Sequence, residues 1–317
     1  MITVKVVSDE TLRTGYVNTN GISVYYEDLG NPSDPVMFLV CGMAMQLIHW
    51  PDAMCQAWVA QGFRVIRFDN RETGLTTRSH VKSAPPILQS FVRYRLGFKV
   101  DAEYDLDTLV LDAVGVLDAL GVEQAHWVGV SMGGMIAQLA AADYPQRVLS
   151  LTSIMSTTNE PHIPGPRWDV LLGLVKPPRD NTEQAKVKAS VDVMDKLQSP
   201  DYRVHRDVLA FDVRRANARA RRPMAGPMHQ MAILATGGFS KRLKAVIAPT
   251  LVIHGDRDPL VRSQGGRHSA KSIPGAKLSI IPGMGHDLPP GLTAKLTNLV
   301  LGHIGSIEPV EAFLYVS

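Results

Sequence analysis

Short apolar runs alternating with helical patterns predict an α/β fold on a mostly parallel sheet. Three observations carry that expectation. Runs such as Val36-Met37-Phe38-Leu39-Val40 are apolar on both faces, as strands are when helices cover both sides of a sheet. Between the runs, apolar residues recur at three-and-four spacing, as at Leu106, Leu109, Val110, Val114 and Leu117. One Gly-x-Ser-x-Gly sequence lies at the junction between such a run and a helical pattern.

Taken in order, Ile22 to Tyr26 alternates like a strand and follows the turn signal Asn20-Gly21. Val36 to Val40 stops at Gly42, and Arg64 to Phe68 ends in Asp69-Asn70-Arg71. A helix over Leu106 to Leu120 ends near Gly121, a residue suited to a C-terminal stop. His126 to Val130 is the next strand, then a small-residue helix from Gly133 to Tyr144 ending before Pro145. Val148 to Ile154, Thr250 to His254 and Lys277 to Ile281 complete the strand runs, and an amphipathic helix covers Gly291 to Ile304. A shorter irregular excursion runs from about Thr77 to Tyr104.

The stretch from about Asn159 to Val246 breaks the rhythm. It is rich in helix formers, opens with Pro161, Pro164 and Pro166, and continues through Pro177 and Pro178. A gap this long is no plain loop in a compact domain. The expected organisation is a core domain of residues 1–158 and 247–317 with a helical cap at 159–246. The last segment, Ile307 to Ser317, carries Phe313, Leu314 and Tyr315, which either dock on the core or mark an interface. Oligomeric state is not legible.

The 317 residues are 45% hydrophobic and 20% charged, a balance that excludes a mainly disordered chain. No apolar stretch approaches the roughly 18 residues of a membrane span. The N-terminus lacks a basic start followed by an apolar core. A soluble, cytoplasmic protein is expected. The net charge of +3 does not argue for nucleic acid. Arg214, Arg215, Arg219, Arg221 and Arg222 form a basic run without interleaved aromatics, which suits a solvated helix face or salt bridges. Cys41 and Cys55 lack zinc-ligand spacing and are expected as reduced thiols.

The chemistry centres on Gly129-Val130-Ser131-Met132-Gly133, followed by Gly134. It has the strand–turn–helix context that lifts a serine hydroxyl above the end of a sheet. The flanking glycines remove Cβ clashes at the sharp turn. The following helix aims free N–H groups at the same spot. A serine needs a base, and the base needs an orienting acid. His254-Gly255-Asp256-Arg257-Asp258-Pro259 follows one strand run, and Gly283-Met284-Gly285-His286-Asp287 follows the last. The order is serine, acid, histidine, with Asp256 and Asp258 both open as the acid. The first oxyanion donor is the Met132 N–H, and the second belongs to the turn after Val36 to Val40.

These landmarks resemble the α/β-hydrolase superfamily over nearly the whole chain. The matching residues are the Cys41-Gly42 turn, Phe68-Asp69-Asn70-Arg71-Glu72-Thr73-Gly74, the serine turn, His254 to Pro259, and Gly285-His286. The stretches Val65-Ile66-Arg67-Phe68-Asp69-Asn70-Arg71 and Ser131 to Gln138 carry a closer likeness to aclacinomycin methylesterase and cofactor-free haloperoxidase-like esterases. The resemblance implies an α/β-hydrolase fold with a mostly parallel eight-stranded sheet flanked by helices and an inserted helical cap. It implies a catalytic triad of Ser131, Asp258 and His286, since the family's acid is the third residue after the glycine. Asp256 is then expected to fix the turn. The alternative acid position, after the preceding strand, offers no carboxylate until Glu160. By position the second oxyanion donor is the Met43 N–H. Family members usually carry His-Gly where this chain has Cys41-Gly42, which removes a histidine that often braces the loop. Asp69-Asn70-Arg71 is expected to brace loops rather than clamp substrate.

Gly42, Met43 and Met155 are the expected substrate-binding residues, with Met45, Met132 and Met135 nearby. The expected activity is carboxylesterase: cleavage of a small to medium hydrophobic carboxylic ester through an acyl-enzyme, with no metal or organic cofactor. The partner is then a small-molecule ester, with no nucleic acid and no membrane span. Perhydrolysis or haloperoxidase-like activity, lactone hydrolysis, carbon–carbon bond hydrolysis, acyl transfer and ligand sensing on the same scaffold stay open. Carbon–carbon hydrolases usually carry asparagine before the serine, where this chain has Val130.

Overall fold

The computed structural model describes residues 12–77, 86–175, 179–220, 222 and 224–307. β1 (Arg13–Thr19) and β2 (Ile22–Leu29) pair antiparallel about Asn20-Gly21, both at positive φ. Such a two-residue turn matches the right-handed twist of its strands. β3 (Val36–Val40), α1 (Asp52–Val59) and β4 (Arg64–Phe68) follow, then α2 (Ile87–Arg95) and α3 (Leu106–Ala119). β5 (Ala125–Val130), α4 (Met132–Asp143) and β6 (Val148–Ile154) form the centre. The strand order is β1-β2-β4-β3-β5-β6, continued by β7 (Thr250–Gly255) and β8 (Lys277–Ile281). The pairs β1–β2 and β2–β4 are antiparallel, and all others are parallel. The eight-stranded, mostly parallel sheet is therefore present.

β3 shows why the sheet needs helices on both faces. Val36, Phe38 and Val40 enter one core cluster with α3 and α4 residues such as Leu109, Leu117, Ile136 and Leu139. Met37, Leu39 and Cys41 enter the other, with Met54 and Trp58 of α1 and with Leu292, Leu296 and Val300. Those last residues belong to α10 (Pro290–Gly305), which follows α9 (Ser263–Ser272). A strand's side chains alternate between faces, so a run that is apolar throughout must be buried on both. Phe38 stacks on Phe68 at 5.0 Å and meets Trp127 edge-on at 4.8 Å. Asp105 caps α3 by accepting from the Thr108 N–H at 2.9 Å, and Gly121 at φ 67° follows its end.

Between β6 and β7 the chain forms α5 (Trp168–Val175), α6 (Glu183–Leu197), α7 (Arg206–Arg219) and α8 (Ala225–Thr236). This is the inserted helical region. α6 and α7 hold a small cluster of their own, Val187, Val191, Leu209 and Val213. α8 joins the main core through Met228, Ala232 and Ile233.

β1 has no counterpart among the runs read from the sequence. Burial alternates along it and Tyr16 is 57% exposed, so this edge strand carries too weak an apolar signal. Pro177, Pro178, Arg221 and the terminal Phe313, Leu314 and Tyr315 lie outside the described residues. Among the described residues no helix is long and apolar enough to cross a membrane.

Candidate active site

Ser131, Asp258 and His286 each follow the carboxyl end of a parallel strand. In open α/β sheets that edge is where ligands bind. Ser131 joins β5 to α4 at φ 55° and ψ −120°, a strained conformation for a residue with a Cβ. Its surroundings hold it there. The Ser131 N–H donates to the Ile154 carbonyl at 2.9 Å, and the Ser156 hydroxyl donates to the Ser131 carbonyl at 2.7 Å. The turn is tight enough to require glycine. A Cβ on Gly133 would stand 2.7 Å from the Cys41 carbonyl oxygen, and one on Gly134 would stand 2.6 Å from Ser156 Cβ. α4 thereby packs directly against the end of β3.

His286 Nε2 lies 3.1 Å from Ser131 Oγ, and His286 Nδ1 lies 2.7 Å from Asp258 Oδ2. The carboxylate takes the Nδ1–H, so the Nε2 lone pair faces the serine hydroxyl; this tautomer follows from the bonding network. The other carboxylate oxygen, Oδ1, accepts from the Leu260 and Val261 N–H groups at 2.9 and 2.8 Å. Burial alone would raise the Asp258 carboxyl. The charge of His286 and hydrogen bonds from His254 and His286 outweigh that and hold it below the ordinary carboxylate range.

The competing acids are elsewhere. Asp256 Oδ1 accepts from the Gly283 N–H at 2.8 Å and ties the ends of β7 and β8 together. Glu160 accepts from the Ser240 N–H at 2.9 Å. Sequence reasoning missed His254. Its Nε2 is 2.8 Å from the Val261 carbonyl oxygen and 3.4 Å from Asp258 Oδ2, inside the protein. The four-residue spacing was visible, but across a turn it implies no contact.

The loop after β3 reaches the serine. A Cβ on Gly42 would stand 3.2 Å from Ser131 Cβ. Among the described residues the Met43 N–H has no acceptor, and the Met132 N–H belongs to the first turn of α4, which has no intrahelical partner. Met43 packs against the cluster containing Met132 and Met135; Met155, at φ 44°, follows β6 and enters the other cluster, against which Met45 packs. Among the described residues no group of three His, Cys, Asp or Glu side chains is placed to hold a metal.

The loops are braced as the Asp69-Asn70-Arg71 reading expected. Asp69 Oδ1 accepts from the Leu47 N–H at 2.8 Å, Asn70 Nδ2 donates to the Cys41 carbonyl at 3.0 Å, and Arg71 forms two 2.7 Å bonds to Asp112. The basic run serves the same loops. Arg215 donates to the Ile48 carbonyl, Arg219 to Asp69 and Gln46, and Arg222 to the Gly74 carbonyl. A cavity of about 170 Å³ between these loops and α7 is lined by Gln46, His49, Asn217 and Arg222 but by neither Ser131 nor His286, so the chemistry lies outside it. Cys41 and Cys55 are free and buried. Burial raises both thiols, Cys55 to about 11, which leaves neither poised as a nucleophile.

Similarity to known proteins accords with this geometry. The model of the alpha/beta hydrolase fold matches residues 35–289. Rhodomycin D methylesterase DnrP of Streptomyces peucetius is 29% identical over 314 residues, covering 92% of this chain and 97% of its own length. The bifunctional esterase/perhydrolase DCH of Acinetobacter calcoaceticus is 27% identical, covering 87% of this chain and 94% of its own. A meta-cleavage product hydrolase from Pseudomonas fluorescens superposes with a TM-score of 0.69 at 20% identity, covering 92% of this chain and 98% of that one. The chain belongs to the α/β-hydrolase superfamily and is similar to the rhodomycin methylesterases; general serine-hydrolase and esterase chemistry is that of this fold family.

Proposed function

We propose that the chain is a carboxylesterase that cleaves a small to medium hydrophobic ester through an acyl-enzyme on Ser131. The observation that carries this reading is the continuous path from Ser131 Oγ to His286 Nε2 at 3.1 Å and from His286 Nδ1 to Asp258 Oδ2 at 2.7 Å. His286 removes the Ser131 proton as Oγ attacks the ester carbonyl. Asp258 stabilises the imidazolium that forms. The tetrahedral oxyanion is held by the Met43 and Met132 N–H groups, which among the described residues have no other acceptor to give up. Backbone donors fixed before the reaction stabilise the developing charge without reorganising. His286 then protonates the departing alkoxide. Water, activated by the same histidine, hydrolyses the acyl-enzyme and restores the serine.

The apolar character of the substrate is inferred from Gly42, which approaches Ser131, and from Met43 and Met155 on the loops after β3 and β6. Unbranched thioether side chains suit a pocket that adapts to its ligand. Residues 159–246 act as a cap over a core formed by 1–158 and 247–317. Ser131 is 9% exposed, which suits a nucleophile set back from bulk water. A cytoplasmic setting suits the two free thiols. Methyl-ester removal from a natural product is the narrower reading favoured by the likeness to DnrP. Perhydrolysis, in which hydrogen peroxide replaces water at the acyl-enzyme, is favoured by the likeness to DCH.

Hydrolysis of p-nitrophenyl esters from acetate to palmitate, by wild type and Ser131→Ala, tests the proposal. The expected result is turnover that peaks at short to medium acyl chains and vanishes in the variant. Equal rates for the two proteins on every ester would refute it.

A further inference from the structure

The loop that carries Met43 has an unusual anchor. Ala44, the next residue, sits at φ 58°, a left-handed conformation that alanine adopts only when its surroundings hold it. The Ala44 N–H donates to His229 Nδ1 at 3.1 Å, and His229 Nε2 donates to the Arg71 carbonyl at 2.8 Å. Both ring nitrogens are thus committed, which fixes the neutral tautomer with hydrogen on Nε2. His229 lies on α8, in the inserted helical region, and is completely buried.

The far end of this strut is firm, because the Arg71 side chain is gripped by Asp112 of α3 through two 2.7 Å bonds. On the other side of Met43, Asn70 Nδ2 holds the Cys41 carbonyl at 3.0 Å. Met43 therefore stands between two peptide groups, each pinned by a buried side chain. α8 also packs its apolar face here: Met228 shares the core cluster of Met132 and Met135, against which Met43 lies.

We infer that His229 is a positioning residue that sets the Met43 N–H for the oxyanion, so that the oxyanion hole is complete only while α8 is seated on the core. The inference rests on the esterase reading given above. Position 41 is a cysteine whose buried side chain cannot brace the loop as a histidine there would, and a histidine from the inserted region reaches the same loop from above. Burial, reinforced by the charge of Arg71, pushes the His229 imidazole down to about 4, which keeps Nδ1 an acceptor at neutral pH.

Two near-isosteric variants separate the ends of the strut. His229→Asn places an oxygen at the Nδ1 position and keeps the acceptor for Ala44. His229→Gln places an amide at the Nε2 position and keeps only the donor to Arg71. Inactivation by an alkyl fluorophosphonate reads serine activation and oxyanion binding without knowledge of the natural ester. The expected result is a maximal inactivation rate lowered at least about 10-fold in His229→Gln at unchanged probe affinity, with His229→Asn within about threefold of wild type; deleting an oxyanion donor outright costs about 10²–10³-fold. Thermal melts of all three proteins accompany the rates. Equal rates in all three would overturn the inference, as would losses that affect Asn and Gln alike, that follow the melting temperatures, or that appear only in probe affinity. Failure of wild type itself to label at Ser131 would overturn the esterase reading, and this inference with it.

Discussion

Arg219 of α7 places its Nη1 2.7 Å from Asp69 Oδ2, a carboxylate with no exposed surface, at the end of β4. The same nitrogen is 2.9 Å from Gln46 Oε1, and the guanidinium lies over the Tyr25 ring at 5.0 Å. One side chain therefore joins the inserted helices to the loops that follow β3 and β4. Removing it leaves the Asp69 carboxylate, among the described residues, with its bonds from the Leu47 and Leu75 N–H groups. Breaking a buried pair by deleting one partner costs about 3–5 kcal/mol, and these remaining bonds place the cost here at the lower end. Arg219→Met is expected to lower stability by about 3 kcal/mol in urea unfolding. Arg219→Lys should recover part of it, since an ammonium restores the charge without the planar fork.

Gly133→Ala should damage structure and activity together. The new Cβ would collide with the Val40 carbonyl and stand 2.7 Å from the Cys41 carbonyl, and neither is a flexible side chain that can swing away. α4 must move off β3, carrying the Met132 N–H with it. Overpacking of this kind costs about 1–3 kcal/mol. The expectation is a lower urea midpoint and a kcat reduced by more than the stability loss explains, measured on the fraction that remains folded.

Asp258→Asn and Asp256→Asn should differ sharply, although the two acids lie two residues apart. Asp258 orients the histidine at 2.7 Å, and an amide there would favour the wrong tautomer. A loss of about 10⁴-fold in kcat is expected, the scale seen when a triad acid becomes its amide. Asp256 bonds the Gly283 N–H at 2.8 Å, away from the imidazole. Its replacement should cost about 1 kcal/mol of stability and leave kcat within a few-fold. Steady-state rates on one p-nitrophenyl ester check both.

The stability of the protein should fall on mild acidification. His229 is held down to about 4 by burial, whereas an unfolded histidine titrates near 6.5. Between those values the unfolded chain binds a proton that the native protein does not, so stability rises with pH across the window and is lost as pH falls from 6.5 toward 4. The largest contribution from this one residue is about 3 kcal/mol. Burial holds His49, His268 and His303 below the ordinary histidine value as well, and they act in the same direction. The diagnostic quantity is therefore the difference between proteins. Urea midpoints measured from pH 7 to pH 4.5 should decline less steeply for His229→Asn than for wild type.

The sheet and the serine turn were legible because their signals are local. Ser131 is bracketed by Gly129 and Gly133, where a Cβ would stand 2.2 and 2.1 Å from backbone oxygens, and β3, buried throughout, is apolar over its whole length. Asp258 and His286 follow strands in the expected order, so their meeting could be read from position. Asp256 competed with Asp258 until the distance to His286 separated them. β1 was missed because an edge strand with one face in water needs few apolar residues. The residues that join the inserted helices to the core were illegible for a different reason. Arg219 and Asp69 are 150 positions apart, and His229 and Ala44 are 185 apart. Nothing in either local sequence specifies such a pairing, and only tertiary packing makes a histidine on α8 a neighbour of the loop after β3.

The central claim is that Ser131 becomes acylated. Rapid acid quench of the enzyme with p-nitrophenyl butyrate, followed by peptide mass mapping, tests it most directly. The predicted result is a butyryl mass on the peptide containing Ser131, appearing with a burst of p-nitrophenol and absent from Ser131→Ala. Turnover with no acyl mass on that peptide, or an acyl group mapped to Cys41 or another side chain, would contradict it.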